Sequence, residues 1–145
     1  AHSPAIADHI DVDFELRGCP INKQQLIDVV IAFARGQRPR LAAHSVCVDC
    51  KRRGIVCVTV ARGIPCLGPI THSGCGALCP GFDRGCYGCY GPSRQANPQG
   101  LSLYQLSAGA PAEDVARSLA SFNTNAAPFR EERERLAESN GEPGA

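Results

Sequence analysis

The sequence predicts an α+β fold, with a strand and a helix near the N-terminus, an irregular cysteine-rich middle segment and C-terminal helices. Three observations lead to this prediction. Apolar and polar residues alternate over residues 9–16, which is the period of a half-buried strand. Eight of the nine Cys lie between Cys47 and Cys89. Two helical patterns follow this segment toward the C-terminus.

The composition limits the chain to one modest core. Only 35 of the 145 residues are Leu, Ile, Val, Phe or Tyr, too few for a large self-sufficient enzyme. The net charge of +1 implies neither a nucleic-acid nor a membrane surface, and no apolar run is long enough to span a bilayer. The N-terminal stretch AHSPAIADHIDVDFEL lacks the features of a signal peptide, which favours a cytoplasmic location.

The N-terminal strand over residues 9–16 is followed by a turn that carries Cys19. Asn22 and Gln25 have the spacing of a helix-capping pair, so a helix is expected to begin there and to end near Gly36. Cys19 would then lie between a strand and a helix, where ligands of α/β proteins gather. The predicted apolar face of this helix consists of Leu26, Val29, Val30 and Phe33.

A basic connector over residues 37–46 leads into the cysteine-rich segment. Residues 47–92 contain nine of the 15 Gly and four of the 11 Pro, with a short strand-like stretch over residues 55–60. Such a segment cannot bury a conventional core, so something else must hold it together.

The remainder of the chain is predicted to be a linker and two helices. The linker covers residues 93–100, and the helices cover residues 112–122 and 128–138. The second helix is expected to carry ion pairs of Arg130 with Glu134 and of Glu131 with Arg135, and residues 139–145 to form a frayed end.

The cysteine spacing admits disulfides, structural zinc or iron–sulfur clusters. Disulfides fit poorly, because nine is an odd number and no secretion signal is visible. Paired Cys-x2-Cys elements suit zinc, and the basic run at residues 51–53 could then contact nucleic acid. Glycine and proline around nearly every Cys favour a bulky cofactor, and Cys-Pro pairs are a feature of ferredoxin cluster motifs.

The stretch CVDCKRRGIVCVTVARGIPCLGPITHSGCGALCPGFDRGCYGCYGP resembles the C-terminal region of the electron-transfer small subunit of soluble, bidirectional and sulfhydrogenase-like [NiFe] hydrogenases. The preceding VDFELRGCPIN and the later SFNTNAAPFREE are similar to flanking parts of that subunit, which is related to the 20 kDa subunit of NADH:ubiquinone oxidoreductase. The resemblance covers nearly the whole chain.

The resemblance implies ligands for three [4Fe–4S] clusters, two of them complete. Cys19 would supply one ligand of a proximal cluster, whose other ligands lie in a flavodoxin-like domain. This chain would therefore be a truncated fragment or one half of a split subunit. The distal cluster would be held by Cys47, Cys50, Cys57 and Cys66, and the medial cluster by Cys75, Cys79, Cys86 and Cys89.

By this resemblance, residues 1–40 end a flavodoxin-like domain, residues 41–92 form a two-cluster domain, and residues 93–145 form a linker and helices. The chain would relay single electrons between a [NiFe] large subunit and a flavin-, NAD(P)-linked or ferredoxin-type partner, as an oxidoreductase subunit with no bond chemistry of its own. No nucleic-acid or membrane partner is expected. The alternatives are a zinc-stapled binding module and a quinone-oxidoreductase-type subunit of the related kind named above.

Other polar residues are expected to have secondary roles. The four His are not expected to be ligands, because the eight Cys already complete two sets of four. Tyr87 and Tyr90 are expected to shield a cluster by packing. Five cations could offset the negative charge of thiolate-bound clusters, or could simply be solvated: Lys51, Arg52, Arg53, Arg62 and Arg84.

Overall fold

The computed structural model describes residues 6–141 and is mainly α-helical. None of the helices in this range combines the length and apolar character needed to cross a membrane. Short 3-10 turns cover Ile6–Asp8 and Pro80–Phe82. The helices are α1 (Lys23–Ala34), α2 (Val46–Arg52), α3 (Val58–Arg62), α4 (Pro98–Ser107), α5 (Ala112–Leu119) and α6 (Ala127–Gly141).

The predicted N-terminal helix is confirmed as α1. The Asn22 side chain accepts a hydrogen bond of 3.1 Å from the backbone N–H of Gln25, which caps the first turn. Gly36 follows the last turn with a φ of +66°, a conformation that favours glycine. Of the four residues on its predicted apolar face, only Val29 is buried, and Leu26, Val30 and Phe33 are exposed, so most of this face is left uncovered by the described residues.

The strand predicted over residues 9–16 does not form in the described structure, which is helical rather than α+β. Residues 9–16 have an irregular backbone, and Ile10 and Val12 are exposed. A strand needs a neighbour to satisfy its backbone N–H and C=O groups, and no other described segment pairs with it. The alternation of apolar and polar residues therefore does not by itself predict a strand, because a strand also needs a partner to pair with.

The strand-like stretch at residues 55–60 is also a wrong prediction. Its second half belongs to α3, which is only one turn long and ends at Gly63 with a φ of +66°. Backbone pairing in the middle segment is limited, over the described residues, to two isolated antiparallel bridges. These join Ser45 to His72 and Thr71 to Pro92, so three loops are tied together beside α2.

The C-terminal helices form the larger core. Helix α5 packs on α6, and α4 contacts both. The predicted linker is shorter than expected, because Asn97 caps α4 by accepting a 2.9 Å hydrogen bond from the Gly100 N–H. The core contains Leu67, Ile70, Val115, Leu119, Phe129 and Leu136.

The ion pairs on α6 agree with the prediction only in part. Arg130 lies 4.0 Å from Glu134, as expected. Arg135 pairs with Glu132 at 2.6 Å instead of with Glu131. Burial opposes ionisation of Glu132, but hydrogen bonds from Arg135 and Ser102 hold the pKa of this carboxyl below its ordinary value. Residues 139–141 of the expected frayed end belong to α6, and residues 142–145 lie outside the described residues.

We expect Phe129→Ala to reduce the free energy of unfolding by about 3–5 kcal/mol, because the fully buried ring (0% exposed) would leave a cavity among α4, α5 and α6. Phe82→Ala is the matched control, since that ring is 74% exposed and its removal creates no cavity. Chemical denaturation followed by circular dichroism measures both. Similar losses for the two variants would contradict this description of the core.

Candidate functional site

Four thiols, which we call the first set, gather around α2 and the loop after α3. Cys47 and Cys50 lie one turn apart on α2, Cys57 immediately precedes α3, and Cys66 follows it. Burial raises the pKa of the Cys47 thiol to about 11, and the nearby thiols of Cys66, Cys50 and Cys57 raise it further. Burial, then Cys66 and Cys57, raise the pKa of Cys50 too. Cys47 and Cys50 therefore lie within electrostatic reach of each other and of Cys57 and Cys66.

The space beside the first set is kept open by a glycine. A Cβ atom at Gly68 would lie 3.2 Å from the sulfur of Cys66 and 3.6 Å from that of Cys47. Backbone N–H groups also point at the Cys66 sulfur, from Gly68 at 3.4 Å and from Cys86 at 3.2 Å. Donors of this kind stabilise a thiolate and tune the potential of a cluster bound to it.

The second set consists of Cys75, Cys79, Cys86 and Cys89. Burial raises the pKa of Cys86 to about 12, and burial also raises the pKa values of Cys79 and Cys89. The Cys75 thiol raises all three pKa values further, and the Cys66 thiol of the first set also raises those of Cys86 and Cys79, so the second set lies close to the first. Over residues 6–141, no three Cys, His, Asp or Glu side chains converge closely enough to hold a single metal ion.

The two sets share a border. Cys86 of the second set is buried with Val46 and Ala77, and Cys50 and Cys66 of the first set pack against this small cluster. The backbone segments there are in direct contact, because a Cβ at Gly85 would lie 1.9 Å from the carbonyl oxygen of Pro65. Only glycine fits at this crossing, so the sequence G-C at residues 85–86 brings the second set against the first.

Cys19 lies next to the second set. The Tyr90 ring is 5% exposed and occupies the space that side chains at Gly18 and Gly74 would need, with Cβ positions 2.7 and 2.2 Å from the ring. Its hydroxyl donates a 2.9 Å hydrogen bond to the Pro20 carbonyl. The sulfur of Cys89 is 3.7 Å from the Cys19 carbonyl oxygen. Tyr90 therefore fixes the Cys19 turn, although the two residues are 71 positions apart.

Basic residues lie close to several thiols. Lys51 lowers the otherwise raised pKa of Cys47, and Arg84 does the same for Cys79. The guanidinium of Arg53 donates to the carbonyl oxygens of Gly76 and Ala77, in the loop between Cys75 and Cys79. The remaining two candidates are exposed, and Arg62 pairs with Asp83 at 3.2 Å.

Two positioning residues were not found from the sequence. Asp49 lies between the two Cys of α2, contacts the His44 ring at 3.1 Å and accepts a hydrogen bond from the Ser73 hydroxyl. Asn123, with a φ of +53°, donates to the carbonyls of Gly88 and Cys89 at 3.0 and 3.2 Å. Both contacts link segments far apart in sequence, and no local pattern signals them.

The histidines and tyrosines occupy varied positions. His44 binds Asp49, His72 takes part in a backbone bridge, and His9 is exposed. His2 lies outside the described residues. Tyr87 is more exposed than Tyr90, so the two tyrosines do not share one packing role.

No family model matches the chain. The delta subunit of sulfhydrogenase 2 from Pyrococcus furiosus is 40% identical over 117 residues, which are 81% of this chain and 49% of that subunit. The chain is similar to hydrogenase subunits.

Further hydrogenase subunits show the same similarity. The G subunit of the F420-non-reducing hydrogenase of Methanothermobacter marburgensis is 32% identical over 68% of this chain and 38% of its own length. The corresponding iron–sulfur subunit from Archaeoglobus profundus is 31% identical over 66% of this chain and 38% of its own length. The chain therefore spans half, or less, of the length of these relatives.

The donor chemistry of the site suits iron–sulfur clusters. Thiolates are the ordinary ligands of such clusters, and each set offers four, none of which forms a disulfide. Burial raises the pKa values of the Cys47 and Cys86 thiols, so binding iron as thiolates would release protons at these two residues. Gly68 leaves space beside the Cys66 sulfur, and the backbone N–H groups of Gly68 and Cys86 donate hydrogen bonds to that sulfur.

We expect Gly85→Ala to destabilise the protein by about 1–3 kcal/mol, because its Cβ would collide with the backbone of Pro65, which cannot rotate away. Gly76→Asn is the matched control: its φ is +62°, nothing lies near its Cβ position, and Asn tolerates this conformation. Denaturation midpoints and iron content of protein purified without oxygen measure the effect. Wild-type values for Gly85→Ala would contradict the close contact between the two sets.

Proposed function

We propose that this chain is an iron–sulfur electron-transfer subunit of a [NiFe] hydrogenase, or the C-terminal part of one. It relays single electrons between the nickel–iron large subunit and a flavin-, NAD(P)-linked or ferredoxin-type partner. The observation that carries the proposal is the pair of adjoining four-thiol sets, which lie around a buried cluster of only three residues. Similarity to hydrogenase subunits, one named as an iron–sulfur subunit, supports it.

The first set would hold the distal cluster and the second set the medial cluster, each as [4Fe–4S]. A bound cluster supplies one-electron redox chemistry, and the protein supplies its position and surroundings. The N–H groups of Gly68 and Cys86 stabilise charge on the Cys66 sulfur. Lys51 and Arg84 lower the cost of bringing four thiolates together, since each favours the charged form of a nearby Cys.

The arrangement of the thiols supports a linear path. Cys19 lies against Cys89, and Cys86 lies against Cys66, so the second set lies between Cys19 and the first set. This order agrees with Cys19 as one ligand of a proximal cluster next to the large subunit. A medial site in the middle keeps each electron step short, as a one-electron relay requires.

A missing N-terminal half belongs to the same proposal. The matched residues make up 49% of one relative and 38% of another, so both are longer than this chain. We propose that residues 1–40 complete a flavodoxin-like domain, that residues 41–92 hold the two clusters, and that residues 93–145 support them. The exposed apolar residues of α1, such as Leu26, Val30 and Phe33, would be covered by that domain. Residues 9–16 could then pair with its sheet.

The relation to the small subunit of NADH:ubiquinone oxidoreductase would be confined to the proximal-cluster domain, because the eight-Cys segment goes beyond that subunit. We place the protein in the cytoplasm, where nine free cysteines stay reduced.

Protein purified without oxygen is expected to be brown and to contain about eight iron and eight sulfide ions per chain, as two [4Fe–4S] clusters require. Cys66→Ser and Cys75→Ser should each lose about half of this iron, because each removes a ligand of one set. Cys19→Ser is the matched control and should retain all of it. Metal analysis and electron paramagnetic resonance of the reduced protein provide the measurements. Colourless protein with about two zinc ions per chain would contradict the proposal and favour the zinc-stapled module.

A further inference from the structure

An exposed apolar patch surrounds the thiol of the first set that is most open to solvent. Val56 and Val60 are 70% and 82% exposed and lie on either side of Cys57, which is itself exposed. Phe82 is 74% exposed and lies next to Asp83, which pairs with Arg62 of α3 at 3.2 Å. This ion pair brings the turn that carries Phe82 against α3. We call Val56, Val60 and Phe82 the α3 patch.

The segment that carries the α3 patch is basic. Residues 46–90 contain five Lys and Arg but only two Asp, although the net charge of the whole chain is only +1. One of the two, Asp49, is engaged with His44 and Ser73, and the other is paired with Arg62. The excess positive charge of this segment, which we call the rim, therefore comes from four exposed residues, Lys51, Arg52, Arg53 and Arg84, and the Arg53 guanidinium lies 3.3 Å from the Cβ position of Gly81, next to Phe82.

The size of the α3 patch indicates the kind of contact it would make. Three apolar side chains with a charged rim form a small footprint, which is typical of transient electron-transfer encounters and not of permanent subunit interfaces. Opposite charges on two partners speed such encounters and orient them, while a few apolar contacts at the centre hold them. Helix α1 also exposes apolar residues, but it follows the Cys19 turn in the chain and, in the proposed function, is covered by the preceding domain.

We propose that the α3 patch docks a small acidic ferredoxin-type protein, which exchanges electrons with the first set past Cys57. The proposal rests on the proposed function, because it assigns the electron partner of that same relay. Acidic side chains of the partner would face Arg52 and its neighbours, and an apolar contact would form on Val60 and Phe82. Electron transfer weakens steeply with distance, so docking over the most exposed thiol gives the shortest approach.

The test measures binding and electron transfer separately, on protein loaded with clusters and kept in the assembly it forms in its host. The probe is an acidic [2Fe–2S] ferredoxin, whose Kd is measured by calorimetry at low and high salt. Reduction of methyl viologen, a small dye that needs no docking surface, measures electron flow. The variants are Arg52→Glu and Val60→Asp. Their matched controls, on exposed residues elsewhere, are Arg38→Glu and Leu103→Asp.

We expect Arg52→Glu to weaken ferredoxin binding about tenfold at low salt and to have little effect at high salt, because salt screens exposed charges. Val60→Asp should weaken binding about tenfold at both salt concentrations, because it places a charge in the apolar centre. Neither control should change the Kd, and all four variants should reduce methyl viologen at the wild-type rate. This set of results supports the α3 patch as the docking site.

Two results would overturn the docking site alone: an unchanged Kd in both patch variants, or equal losses in the controls, while iron content and dye reduction stay normal. Sedimentation of the wild-type assembly as a dimer that Val60→Asp dissociates would assign the patch to self-association and also overturn it. Wild-type protein without iron, or without dye reduction, would overturn the proposed function itself.

Discussion

The constraint on which the structure depends is how little apolar surface is buried around the thiols. Eleven of the 43 residues from Cys47 to Cys89 are Leu, Ile, Val, Phe or Tyr, but Val56, Val60 and Phe82 among them are exposed. The buried cluster beside the thiols consists of Val46, Ala77 and Cys86, with cysteines packed around it. So small a core cannot offset the loss of chain entropy over the whole of this segment. The segment is instead tied by backbone bridges, by side chains that reach carbonyls across loops, and, in the proposed function, by thiolate bonds to iron. The stability of this segment would then depend on the binding of its clusters.

The C-terminal helices compensate for this weak segment. Their core includes Leu67 and Ile70 from the loop between the two thiol sets, so one apolar cluster spans both regions. Asn123 extends the connection by binding the carbonyls of Gly88 and Cys89. The helices therefore support the second set, although the C-terminal region after Cys89 contains no cysteine of its own.

Sequence reasoning succeeded where local patterns decide the structure. The capped start of α1 at Asn22, and helices α5 and α6, follow from periodicity and end signals within one segment. It failed at residues 9–16 and 55–60, where the alternation was real but the described chain offers no strand to pair with. The cysteines stood out from the sequence, and their grouping came from a family resemblance. The contacts of Asp49 and Tyr90 join residues that are 24 and 70 positions apart, beyond any local pattern.

The packing of Tyr90 restrains the turn that carries Cys19. Its ring fills the space left by Gly18 and Gly74, and its hydroxyl holds the carbonyl of Pro20, so the turn with Cys19 cannot slide relative to Cys89. The side chain of Asn22 adds a second tie, to the Gly74 carbonyl at 2.8 Å. Cys19 and the second set therefore keep a fixed separation within this chain. In the proposed function, a domain that supplies the other ligands of a cluster at Cys19 would have to dock rigidly on this turn, because any movement of that domain would pull the cluster away from Cys19.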